Sequence, residues 1–180
     1  MTDSISTDSM NPQEHTDPLD ALRAARTLLD SVTPLRSDCG RLCGAACCTA
    51  DAPESGMYLF PHEEALYDAS DTWMRLVPTD WAPDGQPASL LICEGHCPRD
   101  RRPLACRIFP LALRCTEAAP QVKPDVRAWP VCPLMPHAPQ GLSVEFISAV
   151  RAALALLWAV PEHRCYLQAL DALLHSFEAL

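Results

Sequence analysis

The chain has 180 residues, 48% of them apolar and 21% charged, enough material for one core plus a tail. A net charge of −9 argues against broad attraction to nucleic acid or to an anionic membrane surface. Ten cysteines stand beside six glycines and eighteen prolines, and arginine dominates the basic residues, Lys123 being the one lysine.

In chain order, residues 1–16 are polar, lack Lys and Arg, and contain no apolar h-region. They are expected to form a disordered tail, ending at Asp17, and not a secretory signal. Asp17-Pro18 reads as an N-cap followed by proline in the first helical turn. Leu19, Leu22, Ala25, Leu29 and Val32 then repeat at helical spacing, so a helix is expected over 18–32, stopped by Pro34. Residues 57–60 suggest a short strand. Pro61-His62-Glu63-Glu64 suggests a solvated helix start, with carboxylates facing the positive end of the dipole. Residues 77–88, rich in Pro, Asp and Gly, read as loop, 89–93 as a buried strand, and 116–141, with six prolines, as irregular. Two helices are expected at 142–160 and 161–179, joined as a hairpin. The first places Val144, Ile147, Val150, Ala153, Leu154 and Leu157 near one face. The second does so with Cys165, Leu167, Leu170, Leu173, Leu174 and Phe177. The longest apolar run, near 152–160, is far short of the roughly 18–20 residues of a membrane span.

The cysteines carry the chemistry. Cys39, Cys43 and Cys47 are spaced by four, so a helical segment would project them to one side. Cys48 follows directly. Cys93 and Cys97 repeat the spacing, Cys106 lies nine residues further on, and Cys132, like Cys97, precedes a proline. With no targeting segment the expected compartment is the cytoplasm, where thiols stay reduced. There, so many cysteines point to metal ligation ahead of disulfides. Thiolates suit zinc, Cu(I) and iron–sulfur clusters. The gaps of three, against the two of a zinc knuckle, favour an iron–sulfur cluster over zinc. Cys39, Cys43, Cys47, Cys48, Cys93, Cys97, Cys106 and Cys132 form the ligand pool: two four-ligand sites, or one site with further redox-active or structural cysteines. A thiol–disulfide switch, including a strained Cys47–Cys48 bridge, is the competing reading. Cys115 and Cys165 are expected to be small buried hydrophobes. Segment 93–107 carries Arg99, Arg101, Arg102 and Arg107 against Glu94 and Asp100. Arg102 and Arg107 are expected to steady the loop and offset cluster charge, whereas Arg99 and Arg101 suit a solvated turn equally well.

These residues resemble the YkgJ-type cysteine-cluster family, a zinc- or iron-chelating group. Its first motif ends in a Cys-Cys pair, here Cys39-x3-Cys43-x3-Cys47-Cys48, with gaps of three where the family often has two. Its second has two cysteines and an Arg-Pro-x-x-Cys-Arg-x-Phe-Pro stretch. Here that is Cys93-x3-Cys97, then Arg102-Pro103-Leu104-Ala105-Cys106-Arg107-Ile108-Phe109-Pro110. The likeness covers roughly residues 36–135. It implies a cytoplasmic bacterial metal-binding protein. A relative in that family, the flagellin lysine N-methylase, uses S-adenosylmethionine and looks like an iron–sulfur protein. The family's Glu at a helix start after the Cys-Cys pair corresponds best to Glu64.

Other motifs are weak. No Gly-rich strand–turn–helix, no C-x3-C-x2-C and no nucleophile elbow occurs in the sequence. His96, beside Cys97, is an occasional-ligand candidate. Trp73, Trp81, Trp129 and Trp158 are expected in ordinary packing, with a water-excluding role over a cluster as the alternative. The expected fold is a small, mainly helical α+β domain over 18–180, with short strands and long loops stapled by a cysteine-ligated metal site. Three functions remain open: a metal-cluster protein of unassigned role, a methylase-like or cluster-dependent redox enzyme, and a metal-trafficking or thiol-sensing protein. No protein partner is legible.

Overall fold

The computed structural model describes residues 17–48, 56–83, 85–95, 97–116 and 120–178. The expected tail over 1–16, and His96, lie outside these residues. Helix α1 (Pro18–Leu28) opens as its sequence suggests. The Asp17 carboxylate accepts from Leu19 N at 2.8 Å and Asp20 N at 3.1 Å, filling two of the donors a helix start leaves free. Ala21, Leu22 and Ala25 are fully buried against helix α4 (Val144–Ala159).

The helix stops about four residues before the expected end. Leu29 N and Asp30 N bond back three residues, to Arg26 O and Thr27 O. The carbonyls beyond are taken by a distant side chain: Arg99 donates to Asp30 O at 3.3 Å and to Val32 O at 2.9 Å. A tertiary guanidinium, more than Pro34, ends α1.

Strands β1 (Met57–Tyr58), β2 (Met74–Pro78) and β3 (Ser89–Cys93) form an antiparallel sheet with β3 in the centre. Met57 and Leu76 flank Leu91 from either side. The central strand buries Leu91 and Ile92 and delivers Cys93 at its end. Residues 77 and 78, expected as loop, belong to β2. This strand is an exposed edge, where Pro78 removes no needed ladder donor.

Helices α2 (Gly40–Cys43) and α3 (Leu104–Ile108) are single turns. Strands β4 (Leu111–Arg114) and β5 (Gln121–Pro124) pair antiparallel, so part of the expected irregular stretch is ordered, with Pro124 at the ribbon's end opposite Leu111. Helices α4 and α5 (Pro161–Glu178) form close to the expected bounds, but their axes turn by 117° at Val160, an open corner and not the tight antiparallel hairpin expected. Phe146, Val150, Ala153, Leu154 and Leu157 of α4 and Tyr166, Leu167, Leu170 and Leu174 of α5 complete the core. Val144 is not on that face, being 77% exposed. The result is a small α+β fold with five helices and short antiparallel strands. Among the described residues no single helix is long and apolar enough to cross a membrane.

One buried carboxylate joins three of these elements. Glu63, in a 3-10 turn (Glu63–Leu66), is fully buried and not solvated as expected. Its Oε1 accepts from the Arg26 guanidinium of α1 at 2.6 Å and from Leu104 N at the start of α3 at 2.7 Å. Its Oε2 accepts from Phe60 N at 3.2 Å. Burial pushes the carboxyl's pKa up, against the opposing pull of Arg26 and the two backbone donors. Glu64, the residue matched to the family position, is exposed.

Replacing Glu63 with alanine strands the Arg26 charge, only 12% exposed, and two backbone N–H groups. The expected loss is about 3–5 kcal/mol of unfolding free energy, read by chemical denaturation. A loss below about 1 kcal/mol would show that water replaces the carboxylate.

Candidate metal centre

The first cysteine segment is not one continuous helix. Asp38 Oδ1 accepts from Gly40 N at 3.1 Å and starts α2, but Gly44 and Ala45 both adopt left-handed φ, +60° and +58°. An alanine there costs about 1 kcal/mol or more, so the surrounding fold holds this break in place. Cys39 and Cys43 keep the one-turn relationship, Cys43 Sγ lying 3.8 Å from Cys39 O. Cys47 and Cys48 sit on a separate 3-10 turn (Ala46–Cys48), with sulfurs 3.9 Å apart. The single-sided projection of Cys39, Cys43 and Cys47 from a regular helix is therefore corrected. The chain bends Cys47 back instead.

The second segment is held by its arginines. After Cys93 the chain turns at Gly95, with φ +77°. The 98–103 loop then follows Cys97. Arg99 reaches the end of α1, as above. Arg101 forms a two-point pair with Asp71, which also accepts from Trp73 Nε1 at 3.0 Å and from Asp68 N at 3.0 Å. Its guanidinium lies over the Tyr67 ring, 5.6 Å from the centroid. Arg107 donates to the Arg102, Arg99 and Asp100 carbonyls and to the Asp30 carboxylate. Only Arg102 bonds a thiol, donating from Nε to Cys97 Sγ at 3.4 Å. Thus Arg101 is a structural tie, Arg99 is solvent-exposed yet ties the end of α1, and Arg107 grips the loop backbone. Cys132 enters from a third segment, where Cys132 N bonds Ala128 O at 2.8 Å.

These segments meet around two adjoining cavities. Cys39, Cys43, Cys47, Cys106 and Cys132 line the first, with Arg99, Arg102 and Arg107. Cys47, Cys48, Cys93, Cys97 and Cys106 line the second, with Arg102 and the apolar side chains of Met57, Trp73 and Leu91. Together the two walls hold all eight cysteines of the ligand pool. All are free thiols. Asp38 is the only carboxylate residue among the described residues lining either cavity. As the side chains stand, no group of three His, Cys, Asp or Glu among the described residues converges on one ion position.

The electrostatics follow from burial and crowding. Burial pushes the Cys39 thiol's pKa up, and Cys43, Asp38 and Cys132 add repulsion, which Arg102 partly offsets. Burial, then Cys48 and Cys97, push Cys106 far above an ordinary thiol, and burial also raises Cys93. The hydrogen bond within the vicinal pair lowers Cys47 and raises Cys48. The raised values at Cys39, Cys48, Cys93 and Cys106 favour the neutral thiol there. A bound cation would reverse that preference by pairing with the thiolates.

The remaining two cysteines lie elsewhere. Cys115 packs against the core, its amide donating to the buried Asp171 carboxylate at 2.8 Å. Burial and Asp171 push its thiol up to about 11. Cys165, expected on the buried face of α5, is exposed. His62, with left-handed φ of +64°, pairs with Glu162 at 2.8 Å. Of the tryptophans, Trp73 alone borders either cavity. Trp81 packs at a tilt against Tyr58 and edge-on against Tyr166, and Trp129 is 59% exposed. Phe109, the Phe of the Arg-Pro-x-x-Cys-Arg-x-Phe-Pro stretch, borders both cavities. Asp71 was not singled out from sequence, because its ion-pair partner Arg101 lies 30 residues away.

The Arg101 hydrogen bonds hold the Asp71 carboxyl well below the usual carboxylate range, helped by Asp68 N and Trp73 and opposed by burial. A depressed folded-state pKa contributes stability above the unfolded value of about 4, and that stability is lost as pH falls below it. Asp71→Asn is therefore expected to melt lower than wild type at pH 7, with the gap shrinking below about pH 4 in thermal scans. A gap unchanged from pH 7 to pH 3 would reassign Asp71 to packing. Comparison of the chain with protein-family models, curated proteins and solved structures yields no match.

Proposed function

We propose that this chain is a thiolate metal-binding protein. Cys39, Cys43, Cys47, Cys48, Cys93, Cys97, Cys106 and Cys132 hold an iron–sulfur cluster, or zinc as the alternative. One observation carries the reading: three segments distant in sequence bring these eight thiols, and no other cysteine, to two adjoining cavities. The donor set is soft and almost free of carboxylate, which suits zinc, Cu(I) or iron–sulfur and not hard cations. The gaps of three residues between the cysteines, against the two of a zinc knuckle, favour iron–sulfur.

The chain's own residues have definable roles. Arg102 sets a positive charge on both cavity walls and a hydrogen bond on Cys97, which balances thiolate charge and fixes that sulfur. Arg107 holds the backbone that carries Cys97 and Cys106 in register. Met57, Trp73, Leu91 and Phe109 exclude water from the second cavity. A bound cluster would add an electron-accepting centre, and either metal would cross-link the three segments. Ten free thiols suit a reducing compartment.

A trafficking or thiol-sensing role is the second reading. It is favoured by α2, which carries no buried residue, and by the exposed Cys47. Ligands on such a segment can exchange without opening the core.

The test is the visible spectrum of anaerobically purified protein, with iron, acid-labile sulfide and zinc assayed on the same sample. Broad visible absorption with matched iron and sulfide is expected. A colourless protein with stoichiometric zinc selects the alternative. Cys43→Ser and Cys97→Ser should each lose metal and melting temperature together. Unchanged metal content and melting in both variants would overturn the proposal.

A further inference from the structure

We infer that the eight thiols form two separate four-thiolate sites. Cys39, Cys43, Cys47 and Cys132 make one, and Cys48, Cys93, Cys97 and Cys106 make the other. The inference rests on the metal-binding reading above and adds the number of sites and their membership.

Six thiols sort themselves by cavity. Cys39, Cys43 and Cys132 border only the first, and Cys48, Cys93 and Cys97 only the second. Cys47 and Cys106 stand on the shared wall. Of the thiols that act on Cys106, Cys48 comes first, then Cys97 and Cys93, all of the second set. Four-coordination then leaves Cys47 to the first set: Cys43 and Cys39 act on it, as does Cys106 across the shared wall. The vicinal pair is thereby divided. Cys47 borders both cavities and Cys48 only the second, so Cys47 is the member of the pair that reaches the first. Their 3.9 Å sulfur contact makes the two sites adjacent across a single peptide bond.

Charge supplies a further argument. Four thiolates around a divalent ion, or around an oxidised four-iron core, leave a charge of about −2 at each site. Two such centres side by side repel. Arg102 lies on the wall of both cavities, and the thiols acting on it include Cys97, Cys48 and Cys106. Half-buried between the two cavities, it is a cation placed to offset both centres.

The experiment is native mass spectrometry of the anaerobically purified full chain, with metal and sulfide assayed per chain. Wild type is expected to carry two metal or cluster increments. Cys132→Ser and Cys93→Ser should each retain one, halving the metal content, while Cys165→Ser keeps both. A wild-type chain with a single increment, or complete loss in both folded variants, would overturn the two-site partition in favour of one shared cluster. A wild type with no metal would instead overturn the metal-binding reading itself. Should Cys132→Ser or Cys93→Ser fail to fold, Cys39→Ser and Cys97→Ser replace them. The wild-type count decides alone if those fail too.

Discussion

The fold depends on one buried carboxylate. Glu63 gathers a guanidinium from α1 and two backbone amides, one of them at the start of α3. Burying a charge is costly unless it is paired and hydrogen-bonded, and here both carboxylate oxygens are used. The same contact sets the distance between α1, from which the chain runs to Cys39, and α3, which carries Cys106. Around it a polar seam continues. Asp30 receives Arg107, the Asp30 and Val32 carbonyls receive Arg99, and Arg26 reaches Asp100 O at 3.3 Å. The seam that brings the thiol-bearing segments together is made by groups that carry no metal chemistry.

This division of labour explains the arginines. Of the four between Cys93 and Pro110, three act on backbone or carboxylate partners and one on a thiol. Arginine's planar fork suits such multi-point binding, and lysine would not replace it. A segment with one helical turn and little regular structure acquires rigidity from side-chain hydrogen bonds spanning up to 77 residues. The cysteine loop is thus positioned by the protein, while the α2 segment, with no buried residue, is tied far more loosely.

How much of this was legible in the sequence varies by element. The start of α1, the strands at 57–58 and 89–93, and α4 and α5 were readable, because caps and apolar periods are local signals. Helix α3 was not: five residues are too few for a period, and its first turn is satisfied by Glu63, 41 residues away. The β4–β5 ribbon was hidden by prolines that sit harmlessly at its end. On α5, the apolar list placed Cys165 inside and passed over Tyr166. The structure exposes the first and buries the second, which packs against Phe60 and Trp81. The eight-cysteine pool was legible as a set, since clustering survives ignorance of the fold. Its sorting around two cavities was not, because that depends on the left-handed break at Gly44-Ala45.

The order of the cysteines along the chain also bears on biosynthesis. A chain leaves the ribosome N-terminal end first, at about 5–20 residues per second. Seven of the eight cavity thiols precede residue 107, and Cys132 follows 26 residues later. The set bordering the second cavity is therefore complete roughly 1–5 s before the other at that rate. During this interval Cys39 and Cys43 have emerged without Cys132. On the proposed metal-binding reading, a nascent chain supplied with metal late would spend that time with half-built thiol clusters open to oxidation, and the timing of metal delivery would then bear on the yield of correctly assembled protein.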